Sequence, residues 1–246
     1  MSFYRKLKVK IKYFLDRNRK QIDFRNQFLS FKSLDINKKI PCAEEDIRPY
    51  LDDNSKETKF DAHYIYHPAW AARIVKDINP QKHVDISSTL HFCSILSAFV
   101  AVDFYDYRPA ILNLNNLNSN RGDLMNLDFE DNSIDSISCM HTIEHIGLGR
   151  YGDTLDPDGD IKALQELKRV CARSGNLLIV VPVGKPKIVF NAHRIYDPNF
   201  IVDFMDGFQL KEFALVTDTN QFITNAQLDL GAKQSYGCGC FWFIKK

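Results

Sequence analysis

From Pro68 onward the chain alternates between two rhythms of apolar and polar positions. Pro68 to Ile78 reads as a helix, and His83-Val84-Asp85-Ile86-Ser87 as a short strand with its exit. Residues 89 to 97 return to helix, and the apolar run Ala98-Phe99-Val100-Ala101-Val102 predicts a second strand. Ser133 to Met140 alternates small or polar with apolar side chains, while Asp160 to Cys171 sets Ile161, Leu164, Leu167 and Val170 at helical spacing. Asn176-Leu177-Leu178-Ile179-Val180-Val181, ending at Pro182, is the continuous β-rich run of a strand buried on both faces of a parallel sheet. Strands alternating with helices predict an α/β fold with a doubly wound, mostly parallel, Rossmann-like sheet. Phe208 to Val216 and Cys240 to Ile244 are read as an antiparallel pair at its C-terminal edge.

In open sheets of this kind the ligand sits outside the carboxyl ends of the strands, where strand order reverses. That rule selects four stretches: Asp85 to Thr89, Asp103 to Arg108, Asp123-Leu124, and His141 to Tyr151.

The N-terminal stretch follows a different pattern. Phe3, Leu7, Ile11, Phe14, Leu15 and Ile22 recur at spacings of three and four among ten Lys or Arg and two Asp in residues 1–32. That stretch carries +8 of a chain whose formal total is +1, so the remainder is −7. A basic amphipathic helix is expected over 1–32, a connector over 33–59, and the α/β domain over 60–246. Two readings of the helix stand: peripheral contact with an anionic membrane surface, or an apolar stripe packed on the domain. Nucleic acid is not expected as a partner, because no reading motif accompanies the basic residues. The six cysteines (Cys42, Cys93, Cys139, Cys171, Cys238, Cys240) are scattered, and no hydrophobic leader or membrane-length apolar run is read. A cytoplasmic chain with reduced thiols is the expectation.

At the four selected stretches the chain resembles the class I S-adenosylmethionine-dependent methyltransferases. Val84-Asp85-Ile86-Ser87-Ser88 sits where that family has an acid leading into a glycine-rich turn. Asp123-Leu124, followed by Leu127 to Asp135, resembles its stretch in which an acid precedes a "pF-x-D-x-S-F-D" segment. His141-Thr142-Ile143-Glu144-His145 resembles its "LEH" segment after the fourth strand. Ala163 to Val170, with Ser174 to Ile179, is similar to "L-x-E-x-x-R-V-L-x-P-G-G-x-L". A closer likeness is to a methyltransferase-like domain of unknown function, carried by Glu144 to Asp153, Pro182-Val183-Gly184, Phe190-Asn191-Ala192-His193-Arg194 and Cys240 to Phe243.

The resemblance implies S-adenosylmethionine as cofactor, with Asp85, Ser87, Ser88, Asp106, Asp123, Leu124 and Met140 around it. Asp106, or failing that Asp103, would accept from the ribose hydroxyls, and Asp123 from the adenine amino group, with the Leu124 N–H reading a ring nitrogen. The departure is the first turn, which has Ser87, Ser88 and Thr89 and no glycine between Asn79 and Gly122. Glycine serves there for close approach and positive φ. Either the hydroxyls bond the cofactor in a differently built turn, or the cofactor site has decayed.

Candidate catalytic residues are His141, Glu144, His145, Arg150, His193 and Arg194. A histidine near neutrality suits proton removal from an acceptor hydroxyl, so His145 or His193 is the expected base, with Arg194 or Arg150 on an anionic acceptor group. The plainer alternative is that Glu144 and His145 hydrogen-bond amides of the glycine-rich loop. His141, Glu144, His145 and Asp153 would suit a divalent ion, yet proton chemistry without a metal is the primary expectation. Cys238-Gly239-Cys240 is read as strand packing. His63, Tyr64, Tyr66, His67 and Trp70 either line an acceptor pocket or pack in the core. The functions that follow are an O-directed methyltransferase on a small-molecule or saccharide acceptor, as in glycan biosynthesis; an inactive methyltransferase-fold scaffold; or another enzyme using His141, Glu144, His145 and His193.

Overall fold

A computed structural model describes residues 3–35 and 40–246. These fall into two compact units, residues 1–60 and 61–246. In the first, α1 (Phe3–Leu34) is one continuous helix and a short 3₁₀ turn covers Glu44–Asp46, with little other regular structure. Leu7, Ile11, Phe14, Leu15 and Ile22 of the expected stripe are exposed, but so are Val9, Tyr13 and Phe31 on other faces. The helix is therefore apolar and basic around its circumference. Lys20 bridges Asp16 and Asp52 at 3.1 and 2.8 Å. Met1, Ser2, the Phe3 side chain and residues 36–39 of the expected connector lie outside the described residues. No described helix is long and apolar enough to cross a membrane.

The second unit runs α2 (Ala62–Ile78), β1 (Lys82–Ile86), α3 (Leu90–Leu96), β2 (Ala101–Asp106), β3 (Leu117–Arg121), β4 (Ile134–Met140), α4 (Gly159–Val170) and β5 (Cys171–Val183). A hairpin of β6 (Lys187–Val189) and β7 (His193–Ile195) follows, then α5 (Pro198–Phe204), β8 (Phe208–Val216), β9 (Phe222–Ile223), α6 (Leu228–Ala232) and β10 (Gly237–Lys245). Eight strands form one sheet in the order β3-β2-β1-β4-β5-β10-β8-β9, parallel from β3 to β5 and antiparallel beyond.

Alternation along β5 shows why the sheet needs helices on both faces. Leu177, Ile179 and Val181 pack with Leu164, Leu167 and Ile201 from α4 and α5. Leu178 and Val180 pack with Trp70, Ala71, Ile74, Phe92 and Leu96 from α2 and α3. Each fully buried aliphatic side chain contributes about 1.5–3 kcal/mol, so the run predicted from sequence is also the strand that joins the two layers.

Three expectations need correction. The helix read from Pro68 begins at Ala62, with the Asp61 carboxylate accepting from Tyr64 N–H at 3.3 Å, so Pro68 is inside it. The second strand starts at Ala101, because Ala98, Phe99 and Val100 close the end of α3 with amide bonds to Ile95 and Leu96. Finally, β10 is internal, paired to β5 on one side and β8 on the other; β8 and β9 form that end of the sheet.

Candidate active site

β1 has β2 on one side and β4 on the other, so the strand order reverses between β1 and β4. Ser87 follows β1 and His141 follows β4, and both have φ of +55°. Each extends its ladder by one bond: Ser87 N–H donates to Tyr105 O at 2.7 Å and His141 N–H to Val180 O at 2.8 Å. The left-handed conformation costs a residue with a Cβ about 1–2 kcal/mol, and two such residues flanking the reversal point mark it as a place where the backbone is constrained.

In front of these exits lies a cavity of about 300 Å³, at the lower end of the range for small-molecule sites. Its walls include Ser87, Asp106, Arg108, Asp123, Leu124, His141, Thr142, His145 and Tyr151. Asp106 is the last residue of β2 and spends Oδ1 on Arg108 N–H at 2.7 Å; Asp123 spends Oδ1 on Met125 N–H at 2.9 Å. Asp103, the fallback for Asp106, is bound to Lys82 and Asn118 at 2.8 and 2.7 Å and does not line the cavity. The segment beyond Asp123 is fastened by α4. Glu166 accepts from Leu127 N–H at 2.8 Å, and Arg169 donates to Leu127 O and Phe129 O at 2.7 Å. This gives the helix motif its physical reason.

The serine turn is built without glycine, and its hydroxyls serve the protein. Ser87 Oγ donates to Tyr105 O at 3.1 Å, Ser88 Oγ accepts from Met140 N–H at 3.1 Å, and Thr89 Oγ1 accepts from Phe92 N–H at 3.2 Å to cap α3. Each of the three hydroxyls is thus engaged within the protein, and only Ser87 of the three lines the cavity. Asp85 also lies elsewhere, fully buried with Ser138 Oγ donating to it. Burial raises its carboxyl to about pKa 7 against the pull of Ser138 and Ser88. Ser138 in turn meets His83 Nε2 at 2.9 Å, and burial lowers that imidazole to about 3. Met140 is buried on the α2 and α3 side and is not a cavity wall.

After β4, Glu144 sits between two histidines. Its Oε1 is 2.8 Å from His141 Nδ1 and 3.8 Å from His145 Nε2, and it is only 1% exposed. His145 Nδ1 is 2.6 Å from Ala192 O, so that nitrogen carries the proton and Nε2 presents a lone pair. The loop amides are held by Asp153, not by Glu144 or His145. Its carboxylate accepts from Gly147, Gly149 and Tyr151 N–H at 2.9, 3.2 and 3.1 Å. Burial would raise this carboxyl, but those three donors hold it below its ordinary value. Asp153 is thus committed to the loop, which takes it out of the His141, Glu144, His145 and Asp153 set that the sequence offered as a minor metal-binding alternative.

Arg194 is corrected as well. It is 4% exposed, donates to Ile146 O and Pro157 O at 2.7 and 3.1 Å, and faces Asp160 at 3.4 Å, so it clamps loops and does not line the cavity. His193 packs on Tyr236 at 4.9 Å outside the cavity wall, and burial lowers its pKa. Arg150 bonds Ala192 O at 3.0 Å and lies 5.1 Å over the Tyr151 ring; Arg108 lies 5.0 Å from the same ring. Arg108 and Tyr151, both in the selected stretches, line the cavity as well, and Arg108 is a cavity residue to which sequence reasoning gave no role. Of the aromatic-rich set, His63, Tyr64 and His67 gather round His141 with ring centroids 5.5, 5.3 and 5.0 Å away, whereas Tyr66 stacks on Phe222 and Trp70 is in the core.

Comparison with known proteins matches this architecture. Residues 121–236 match the profile of a family described as a Caenorhabditis protein of unknown function, DUF268. An uncharacterised protein of Methanocaldococcus jannaschii is 31% identical over 93 residues, covering 35% of this chain and 36% of that protein, so the match spans about a third of the relative's length. A Bacillus halodurans C-125 protein provisionally described as a methyltransferase superposes with a TM-score of 0.53 at 15% identity, over 73% of this chain and 98% of its own. A Galdieria sulphuraria protein provisionally described as a sarcosine dimethylglycine methyltransferase gives 0.52 at 15%, over 73% and 84%. The N-methyltransferase NodS of Bradyrhizobium japonicum WM9, in complex with S-adenosyl-L-homocysteine, gives 0.50 at 10%, over 72% and 85%. The second unit thus has the mixed α/β fold of these methyltransferases, with a mostly parallel sheet and antiparallel end strands.

Proposed function

We propose that this chain is an S-adenosylmethionine-dependent methyltransferase that methylates an oxygen of a small-molecule or saccharide acceptor. The observation that carries the reading is the convergence of the Asp106 and Asp123 carboxylates on one cavity at the strand-order reversal. The residues fit a nucleoside cofactor: Asp106 for the ribose hydroxyls, Asp123 and the Leu124 N–H for the adenine edge, and Ser87 with its positive φ taking the place of the usual glycine. When bound, S-adenosylmethionine supplies an electrophilic methyl group.

The chain's own residues then have to hold the acceptor and remove a proton. Ala192 O fixes the tautomer of His145, whose Nε2 takes the acceptor proton while Glu144, 3.8 Å away, favours the resulting imidazolium. Arg108 and Arg150, both against Tyr151, offer positive charge for an anionic acceptor group at the rim. α1 with its exposed basic and apolar residues would hold the protein at an anionic membrane surface, where a lipid-linked glycan is a fitting acceptor. A cytoplasmic location belongs to the same reading.

The deciding experiment is calorimetric titration with S-adenosylmethionine and S-adenosylhomocysteine on the wild type, Asp106→Ala and Asp123→Ala. Micromolar binding that both substitutions weaken supports the reading. Absence of heat and of thermal stabilisation at millimolar ligand supports the second one, a methyltransferase-fold binding protein that no longer transfers, which the glycine-free first turn favours.

A further inference from the structure

Three elements distant in sequence bring metal-ligating side chains together behind the cavity wall. Ligand atoms of His63 on α2, His141 after β4 and Cys238 on β10 all lie within 4.8 Å of one another. His141 Nε2 is buried and has no hydrogen-bond partner. Its Nδ1 is held by Glu144 Oε1 at 2.8 Å, and the two side chains are 3% and 1% exposed. One ring nitrogen fixed by a carboxylate and the other presented bare is the arrangement that orients a metal-binding imidazole. His67, one turn along α2 from His63, repeats it: Nδ1 is bound to His63 O at 2.7 Å, while Nε2 is buried without a partner.

Packing alone gives a poor account of this cluster. An apolar wall would be built from apolar side chains and would not leave the His141 imidazole nitrogen orphaned beside a thiol and a second imidazole. We propose that His63, His141 and Cys238 bind one transition-metal ion of the zinc type, with Glu144 as the residue that positions His141. A thiolate with two imidazoles selects zinc, cobalt or copper over magnesium or calcium. Closing to metal distances of about 2.0–2.3 Å requires the three ligand atoms to draw together from their present separations. On binding, the Cys238 S–H bond breaks, a sulfur–metal bond forms, and one proton passes to solvent.

The test is titration of chelator-treated full-length protein with cobalt(II) alone, followed by zinc(II) competition, with no S-adenosylmethionine present, so that its result is independent of the proposed function. The expected result is one cobalt per chain, a near-ultraviolet thiolate-to-cobalt charge-transfer band, and its loss when zinc is added. Cys238→Ser abolishes that band and Cys240→Ser keeps it. His63→Gln and Glu144→Gln each weaken cobalt binding by about 10–100-fold. If Cys238→Ser does not fold, His63→Gln at its half-buried position decides. A wild-type protein without the charge-transfer band, a band that survives Cys238→Ser, or cobalt affinity unchanged in folded His63→Gln overturns the proposal.

Discussion

Thr142 Oγ1 donates a 2.8 Å hydrogen bond to Ser87 O, tying the exit of β4 to the exit of β1 across the point where strand order reverses. Ser87 therefore has its N–H and hydroxyl committed to Tyr105 of β2 and its carbonyl to Thr142 while in a left-handed conformation. The two effects can be separated. Ser87→Gly relieves about 1–2 kcal/mol of backbone strain and forfeits a hydroxyl bond of about 0.5–1.5 kcal/mol, so its stability stays within about 1 kcal/mol of wild type. Ser87→Ala forfeits the bond and keeps the strain. Urea unfolding is expected to rank glycine above alanine at this position, and the reverse order would show that the strain is not there.

Asp85 makes a pH prediction with a definite sign. Folded, it keeps its proton up to about pH 7; unfolded, it releases it near 3.8. Across that interval the native state binds more protons, so this contribution is complete below 3.8 and is lost as pH rises through 7. His63 and His83 act oppositely, because burial lowers them from 6.5 to about 4 and about 3; their contribution is present above 6.5 and lost as pH falls towards those values. Asp85→Asn removes only the first contribution. Its stability relative to wild type should therefore climb between pH 4 and 7 and level off beyond, and a flat difference in denaturant midpoints would contradict the buried carboxyl.

Arg194 is expected to act through the fold. Replacing it with methionine leaves Asp160, Ile146 O and Pro157 O without their buried cation, at a cost of about 3–5 kcal/mol. A melting curve like that of wild type, together with a raised KM for the acceptor, would return Arg194 to the substrate.

His145→Gln addresses the proton transfer. With an acceptor in hand, kcat should fall by about 10²–10⁴-fold while S-adenosylmethionine binding stays within a few-fold of wild type. Equal loss of binding and turnover would assign the residue to the cofactor.

Much of this site was readable because loops at strand ends carry chemistry wherever they lie on an α/β sheet. Asp106, Asp123, Leu124, Ser87, His141 and His145 were found that way, and all line the cavity. The burial of Asp85, inside a selected stretch, and of Arg194, outside all four, was not legible, because a charge in a sequence motif does not reveal whether it faces solvent or the interior. The start of α2 was hidden by Pro68, which reads naturally as a first-turn residue. With the helix placed from Ala62, His63 and His67 fall one turn apart on it, a spacing that a start at Pro68 concealed. Strand β8 was located at Phe208–Val216, as read, since its burial depends on a local pattern; the internal position of β10 depends on partners 22 to 68 residues away in the chain.

That position has a kinetic side. Cys240, Phe241 and Phe243 fill a slot between β5 and β8, so both neighbours present open edges until residues 237–245 have been synthesised and inserted. The parallel half, with both strands of the reversal point, is complete in sequence by Val183 and can assemble early, but Cys238 arrives with the last strand. During translation the nascent chain therefore carries a nearly finished cavity alongside an exposed, aggregation-prone seam, and that interval is when a ribosome-associated chaperone would matter most.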